Sequence, residues 1–534
     1  DVAFPRMNAL GFWLFLFGGF VLNLAFFTGG AADGGWFAYA PNTGVTFSPG
    51  NGMDYWALGI LLTGIASLIG AINLIVTVLN MRAPGMTLMR MPVFTWMALV
   101  VQFLLLFAIP VITVPLIMIL LDRLFDANFF NVAQGSDPLL WQHLFWIFGH
   151  PEVYIIILPA FGIVSETIPV FSKKPLFGYP FIVFSGIAIG FMGWGVWAHH
   201  MFASGIGPVS VATFSLTTMF IAVPTGVKIL NWMATMWGGK ITFAVPMKFS
   251  IALVAMFTIG GLSGVTHAVA PSDTQQTDTY FIVAHFHYVI FGGAVLGLFG
   301  GLYFWWSKVF GYMLSERRGN WHFWLMFIGL NMTFGPMHIL GLQGMPRRTY
   351  RYDANQGYDF WNQVSTIGSF IIAAGAVVFV YNIFKSRSEW KRAGKPPALA
   401  DPWDGRSLEW SIPSPAPVHN FDYTPRVTQL DDFWHRKYKR GDDDQYTRAH
   451  TGEELAQRGD GEPHLPSPSY WPIVMASGFP LIALGLIYSL PLAFVGLAVV
   501  AGSMFGWGLE PATAPSAHHE VLDVSDADKE SVND

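Results

Sequence analysis

Apolar runs of about 20 residues, enough to cross a hydrocarbon core about 30 Å thick, recur along most of this chain. They fall near 8–30, 54–80, 94–121, 139–167, 179–202, 211–237, 246–269, 279–306, 321–342 and 362–384. In lipid a helix satisfies its own backbone groups, so the pattern predicts an all-α, polytopic transmembrane helix bundle with its core in residues 1–386. Residues 387–469 are polar, with Pro, Gly and charge runs such as RKYKRGDDD. They read as an extramembrane segment with little regular structure. Residues 470–508 are apolar again and, broken near Ser489–Pro491, predict two further short spans. The acidic tail, 509–534, reads as disordered.

Loop charges orient the bundle. Alternate loops carry Arg82 and Arg90, then Lys173 and Lys174, then Lys240, then Lys308, Arg317 and Arg318. The positive-inside rule makes these the cytoplasmic loops, and the 387–469 segment falls on the same side. The opposite loops hold Arg123 alone until GMPRRTYRYD supplies Arg347, Arg348 and Arg351. A basic cluster on that side points to an anionic partner, or to arginines paired with nearby Asp or lipid phosphate.

Composition agrees with a membrane protein: of 534 residues, 53% are hydrophobic and 12% charged, about half the charged fraction of a soluble domain. There is no cysteine and there are fifteen His. Disulfides, iron–sulfur clusters, thiolate-ligated haem and any thiolate-bridged copper centre are thereby excluded from this chain.

Polar groups inside hydrocarbon are expensive and mark sites. FWIFGHPEVYIIILPAFGIV places His150, Glu152 and Tyr154 in one span, with His150 and Tyr154 on one face at i, i+4. AHHMFASG adds His199 and His200. Adjacent helical residues diverge by about 100°, so both reach one metal only if it sits between them or the helix is distorted there. With His150 they would offer three neutral nitrogens, a set suited to copper with an open position. In DTYFIVAHFHYVIFGG, His285 and His287 lie about 200° apart on a helix, which predicts one helix between two cofactors, haem being the natural choice. His143, His267, His322 and His338 read as packing or structural histidines.

Taken in order, GAINLIVTVLNMR, QHLFWIFGHPEVY, WGVWAHHMF, PTGVKIL, DTYFIVAHFHY and GMPRRTY resemble subunit I of the haem–copper oxygen reductases, in the cytochrome c oxidase branch of the aa3 type. The resemblance runs from residue 1 to about residue 430. It implies that His150, His199 and His200 bind copper (CuB), that His285 ligates the high-spin haem a3 and His287 the low-spin haem a, and that Tyr154 is joined to His150 and donates an electron and a proton. Trp146 would pack beside the copper. Asp1, Asn8, Asn73 and Ser67 match one proton channel, which ends at Glu152, and Lys228 with Thr225 match a second, which leads to Tyr154. Arg347 and Arg348 match the pair that binds haem propionates, and Asp278 a magnesium ligand, although Thr277 stands where the family commonly has His.

The resemblance also implies the activity: reduction of O2 to water with electrons from cytochrome c, coupled to proton pumping, in a bacterial plasma membrane. The implied partners are subunit II, which carries the binuclear copper centre, and subunit III; nothing implies nucleic acid. A quinol oxidase shares nearly all these motifs and stays open as the alternative. Nitric oxide reductase, with iron in place of copper, is disfavoured by Tyr154 and Lys228; a proton-coupled transporter using Glu152 and Lys228 is disfavoured by the histidines. Asp1 matches the residue just after the family's second helix, so the expectation is a chain without the first two helices and without the second axial His of the low-spin haem. The 470–508 spans, introduced by LPSPSYWPIV, resemble an accessory subunit fused to the core, and LEWSIPSPAPVHNF resembles the family's cytoplasmic tail.

Overall fold

The computed structural model describes residues 2–28, 30–422, 424–441, 446–455 and 468–510. Asp1 and the tail from residue 511 lie outside the described residues. Among those described, eleven helices are long and apolar enough to cross a bilayer, and a shorter apolar helix spans Tyr179–Gly195.

In chain order the helices are α1 (Pro5–Leu24), α2 (Gly52–Asn80), α3 (Val93–Phe125), α4 (Leu139–Ser172), α5 (Tyr179–Met192), α6 (Pro208–Phe220), α7 (Ala222–Met236) and α8 (Val245–Ala268). There follow α9 (Ala270–Gln276), α10 (Tyr280–Val289), a π-turn at Ile290–Val295, α11 (Leu296–Phe310), α12 (Glu316–Leu342) and α13 (Asp359–Arg392). The chain continues with α14 (Asp432–Lys437), the antiparallel strands β1 (Tyr438–Arg440) and β2 (Tyr446–Arg448), α15 (Gly452–Leu455), α16 (Trp471–Tyr488) and α17 (Leu490–Leu509). Every apolar run of the sequence became helical, but three are interrupted, by the 3-10 turns after α5, between α6 and α7, and at the π-turn; the other differences lie at the ends. α12 begins at Glu316, where the Ser315 hydroxyl accepts from Arg318 N, and α13 runs on to Arg392 through charged residues that a hydropathy pattern excludes.

The core is made where α4 packs between α3 and α11 and against α7 and α8. Met97, Leu158, Val164, Ile182, Trp232 and Leu253 are fully buried there. α10 is held between α8 and α12, which puts both faces of the His285/His287 helix against protein.

The two ends of the bundle differ. At the end with the basic loops (the inner end), the polar segment is more ordered than its composition suggests. Lys437 is completely buried and its ammonium meets Asp401 at 2.6 Å and Asp404 at 2.8 Å; Trp410 and Phe433 are buried with it. The 408–416 stretch is tied to α11: Lys308 Nζ donates to Ile412 O at 2.5 Å, and Trp305 Nε1 to Glu409 at 3.1 Å. A handful of buried ion pairs and tryptophans organises what hydropathy reads as loop.

At the opposite end, residues 30–51 fold as a cap. Arg123 pins it with all five of its N–H groups, two on the Asp54 carboxylate and the others on the carbonyls of Thr43, Ser48 and Gly50. Trp141 Nε1 donates to Phe37 O at 3.0 Å from below.

The C-terminal hairpin α16–α17 packs through α16 on α1 and α2. Tyr55 donates to the Tyr488 hydroxyl at 3.0 Å, and Arg6 pairs with Glu510 at 3.1 Å. Tyr55→Phe should cost about 1 kcal/mol, the net worth of one hydrogen bond, and thermal unfolding of the purified chain would read it.

Candidate metal centre

Three imidazoles from two helical segments converge beside the cap-side half of α4. His150 comes from the middle of α4; His199 and His200 come from a 3-10 turn, Trp197–Met201, that follows the end of α5. The distortion the sequence required is present: the α-helix stops before the pair, and both rings turn inward. One nitrogen from each of His150, His199 and His200 lies within 4.8 Å of the others. Among the described residues this is the one group of three or more His, Asp or Glu side chains able to share an ion.

The hydrogen bonding of these rings fits a cation. His150 is 5% exposed, and neither of its ring nitrogens has a hydrogen-bond partner. Leaving such a group unpaired costs about 1–3 kcal/mol, which a bound metal would offset. Thr218 gives its hydroxyl proton to Phe214 O, so its oxygen accepts from His199 Nδ1 at 3.0 Å. His199 Nε2 then carries a lone pair, and it lies 3.0 Å from His200 Nε2. Neutral nitrogens facing one point are the donor set for copper, zinc or iron.

Around them the packing is aromatic. Trp146 stacks on His200 with ring centroids 3.8 Å apart, and Tyr154 meets His150 edge-on at 4.6 Å. The cap reaches this layer, because Trp146 Nε1 donates to the Tyr39 hydroxyl at 2.5 Å and Trp36 lies 5.5 Å from Trp146. Burial pushes the Tyr39 hydroxyl up to about 12, against the pull of the Trp146 hydrogen bond.

His285 and His287 leave α10 on different sides. His285 Nδ1 sits 2.9 Å from Gly260 O and 2.9 Å from Ser263 Oγ on α8. His287 Nδ1 lies 2.8 Å from Val283 O, and its ring stacks on Phe334 of α12 at 4.0 Å. A carbonyl can only accept, so both Nδ1 atoms carry the proton and both Nε2 lone pairs are free. That is the tautomer whose Nε2 could bind a metal. A Cβ at Gly264 would come within 2.9 Å of His285 Cε1. Gly264→Ala should therefore turn the ring, at a cost of about 1–3 kcal/mol from overpacking, seen as a lower melting temperature.

The remaining residues singled out by sequence divide. Lys228 is fully buried; its Nζ donates to Ile182 O at 2.8 Å and lies 5.9 Å from the Phe161 ring. A Cβ on Gly186 of α5 would meet Lys228 Nζ at 3.1 Å, and one on Gly193 the Tyr154 ring at 2.8 Å. Lys228 and Tyr154 thus touch the same helix about two turns apart. Thr225 donates to Ile221 O. Arg347 and Arg348 lie over the Phe37 ring of the cap at 5.6 and 4.2 Å, and Arg347 N donates to Asp278 O at 2.8 Å. Asp278 belongs to no ligand cluster among the described residues; its carboxylate is 77% exposed, 3.9 Å from Arg347.

Asn73, Asn8 and Ser67 are not joined to Glu152 by hydrogen bonds among the described residues. Asn73 holds the backbone of Phe4, accepting from its N at 2.9 Å, Ser67 donates to Thr63 O, and Asn8 is exposed. Glu152 is half-buried on α4. Sequence reasoning missed Thr218, Ser263 and the cap aromatics Trp36, Phe37 and Tyr39. Three aromatics within GGWFAYAP were the available signal for the cap.

Comparison with known proteins decides the family. The model described as "Cytochrome C and Quinol oxidase polypeptide I" matches residues 1–371. The chain belongs to that family. Cytochrome c oxidase subunit 1 of Bacillus sp. (strain PS3) is 49% identical over 513 residues, which cover 95% of this chain and 80% of the relative. Quinol oxidase subunit 1 of Bacillus subtilis (strain 168) is 44% identical over 490 residues, covering 91% and 73%. A solved heme–copper terminal oxidase shares the fold, with TM-score 0.62 at 19% identity over 72% of this chain and 70% of its own. The chain is therefore an oxidoreductase built as a multi-pass membrane bundle, and its family implies haem and copper, for which the three-imidazole cluster and the α10 histidines would be suitable ligands.

Proposed function

We propose that this chain is the catalytic subunit of a bacterial terminal oxidase that takes electrons from cytochrome c, reduces O2 to water and pumps protons across the plasma membrane. The observation that carries the reading is the cluster of His150, His199 and His200, within 4.8 Å of one another, with the Tyr154 ring against His150 and His285 on the adjoining helix. His150, His199 and His200 hold copper; His285 holds the high-spin haem a3 and His287 the low-spin haem a. Bound there, these metals supply the electrons that O2 accepts. The chain's own residues position, shield and protonate. Tyr154 offers its hydroxyl proton beside His150. Lys228, whose ammonium faces Gly186 about two turns before the Gly193 that Tyr154 faces, carries protons toward it, and Glu152 holds a proton at its carboxyl for the other route. Arg347 and Arg348, basic groups at the cap end, pair with the propionate carboxylates. Trp36, Tyr39 and Trp146 cover the cluster and exclude water.

The chain has no cysteine, so a thiolate-bridged copper centre receiving electrons from cytochrome c belongs to a second subunit, and a third accompanies it. The α16–α17 hairpin is read as an accessory piece fused to the core.

Oxygen uptake by the assembled oxidase, driven by reduced cytochrome c or by a reduced quinol, tests the donor, with copper and iron measured on the same sample. Fast uptake with cytochrome c and slow uptake with quinol is expected. The reverse makes it a quinol oxidase. Iron without copper would argue for a nitric oxide reductase, and neither metal for a transporter.

A further inference from the structure

The inner end of α13 carries Lys385, Arg387, Lys391, Arg392 and Lys395 in the run KSRSEWKRAGK. Among the described residues, none of these five side chains makes a hydrogen bond or an ion pair. Other cations at this end of the bundle are engaged. Arg82 donates to the Val78, Leu79 and Met86 carbonyls, Lys174 to those of Ala234 and Trp237, and Lys308 to that of Ile412. The one acid in the run, Glu389, is already held, its two oxygens accepting from Arg318 at 3.1 and 2.7 Å.

A cavity of about 390 Å³ opens beside these cations, between the inner ends of α12 and α13 and the chain just after α13. Tyr312, Ser315, Arg318, Trp390, Ala393 and Pro396 are in its walls. Small-molecule clefts are of this size, about 300–1,000 Å³. The walls are braced: Tyr312 stacks on Trp390 with ring centroids 5.3 Å apart, and Trp390 Nε1 donates to Pro396 O at 2.8 Å. Glu389 also lines the cavity, and the charges of Lys385 and Arg392 reach it there.

This cavity lies at the level of the bilayer surface. Trp321 and Trp324, in the first three turns of α12, are exposed, and tryptophan favours the headgroup layer. On α13, Val377, Val380, Tyr381 and Phe384 are exposed and, at i, i+3, i+4 and i+7, form one apolar stripe. The same helical repeat carries the stripe on into Arg387 and Lys391. Acyl chains fit the stripe, and the group that joins them then meets the cations and the cavity. A zwitterionic headgroup leaves the cations unmatched, whereas a phosphate with net negative charge matches them.

We propose that this cavity seats the headgroup of an acidic phospholipid of the inner leaflet, its phosphate against Arg387, Lys391 and Arg392 and its chains along the stripe from Val377 to Phe384. Glu389 stays on Arg318, so the lipid displaces no internal ion pair.

Photolabelling of the assembled oxidase tests this. The oxidase is reconstituted in phosphatidylcholine vesicles holding a trace of phosphatidylglycerol with a diazirine high on one acyl chain, and labelled peptides are found by mass spectrometry. Label should concentrate on residues 377–384, at least about tenfold above that from the same diazirine on phosphatidylcholine. Arg387→Gln, Lys391→Gln and Arg392→Gln together should remove most of that excess. Ala393→Trp, which fills the cavity from an exposed position and removes no charge, should do the same, while haem spectra and oxygen uptake stay those of the unaltered enzyme. Equal labelling by the two lipids would overturn the site. An excess that survives Ala393→Trp would overturn it too, because the cations would then draw acidic lipid to the surface without a seat. Inorganic phosphate at constant ionic strength should leave the label in place; if it abolishes the label, the site holds a free anion and the lipid assignment is wrong.

Discussion

A His150→Ala variant of the assembled oxidase loses its copper and at least about a hundredfold of its turnover, while its haem content stays close to that of the unaltered enzyme. Removing a partner that merely orients a metal ligand typically costs about 10–100-fold; removing the ligand itself costs more. Two neighbouring imidazoles on one 3-10 turn, with Nε2 atoms 3.0 Å apart, cannot close a site without the third from α4. The side chain takes no other part in the fold's hydrogen bonding, since both of its nitrogens are unpartnered. Its loss should therefore leave the bundle standing. Copper by elemental analysis, haem by optical spectra and oxygen uptake separate the possibilities. Full copper occupancy with normal turnover would sink the ligand assignment, and loss of haem together with copper would show that the variant had lost its fold.

Arg123→Ala should be the most damaging substitution outside the metal centre, costing about 3–5 kcal/mol of stability. The Arg123 and Asp54 side chains are 3% and 4% exposed, so truncation leaves a carboxylate and the carbonyls of the buried Thr43 and Ser48 unpaired. Arg123→Lys should rescue little, because an ammonium has three donors and no fork to match the Asp54 carboxylate. Replacing both Arg123 and Asp54 with leucine should recover part of the loss but not all, since the Thr43 and Ser48 carbonyls stay unpaired. The damage should also travel. The loop that Arg123 holds carries Phe37 under Arg348 and Tyr39 on Trp146, so turnover should fall at temperatures where the bundle is still folded. Melting curves beside oxygen uptake check both parts; equal stability of Arg123→Ala and the unaltered chain would refute the pinning role.

Much of this was legible from the chain alone. Helix positions follow from hydropathy because lipid leaves the backbone few alternatives, and the opposite faces of His285 and His287 follow from the helical repeat. Convergence of His150 with His199 and His200 needed the resemblance or the structure, since nothing local announces that the helix gives way to a 3-10 turn at Trp197. Order in residues 400–437 was illegible for a different reason. It depends on Lys437 finding Asp401 and Asp404 from 36 and 33 positions away, and a composition profile discards such pairings. Thr218 and Ser263 look like ordinary hydroxyls of apolar spans until the rings they orient are placed.

The π-turn at Ile290–Val295 bears on how this protein can change. One extra residue in a helical turn adds about 100° of rotation to everything beyond it, so α11 faces the core at an angle the α-repeat of α10 would not give. Gly292 lies against Met256 and Gly293 against Ile157, with no room for a Cβ at either. Within this span, point substitutions and single-residue deletions therefore belong to different classes of change. A substitution alters one contact, whereas a deletion between Ile290 and Val295 would swing either the two histidines or the whole packing face of α11 out of phase. The helix that presents both imidazoles can thus vary in composition but hardly at all in length, and its residue count is as much a part of the site as the histidines.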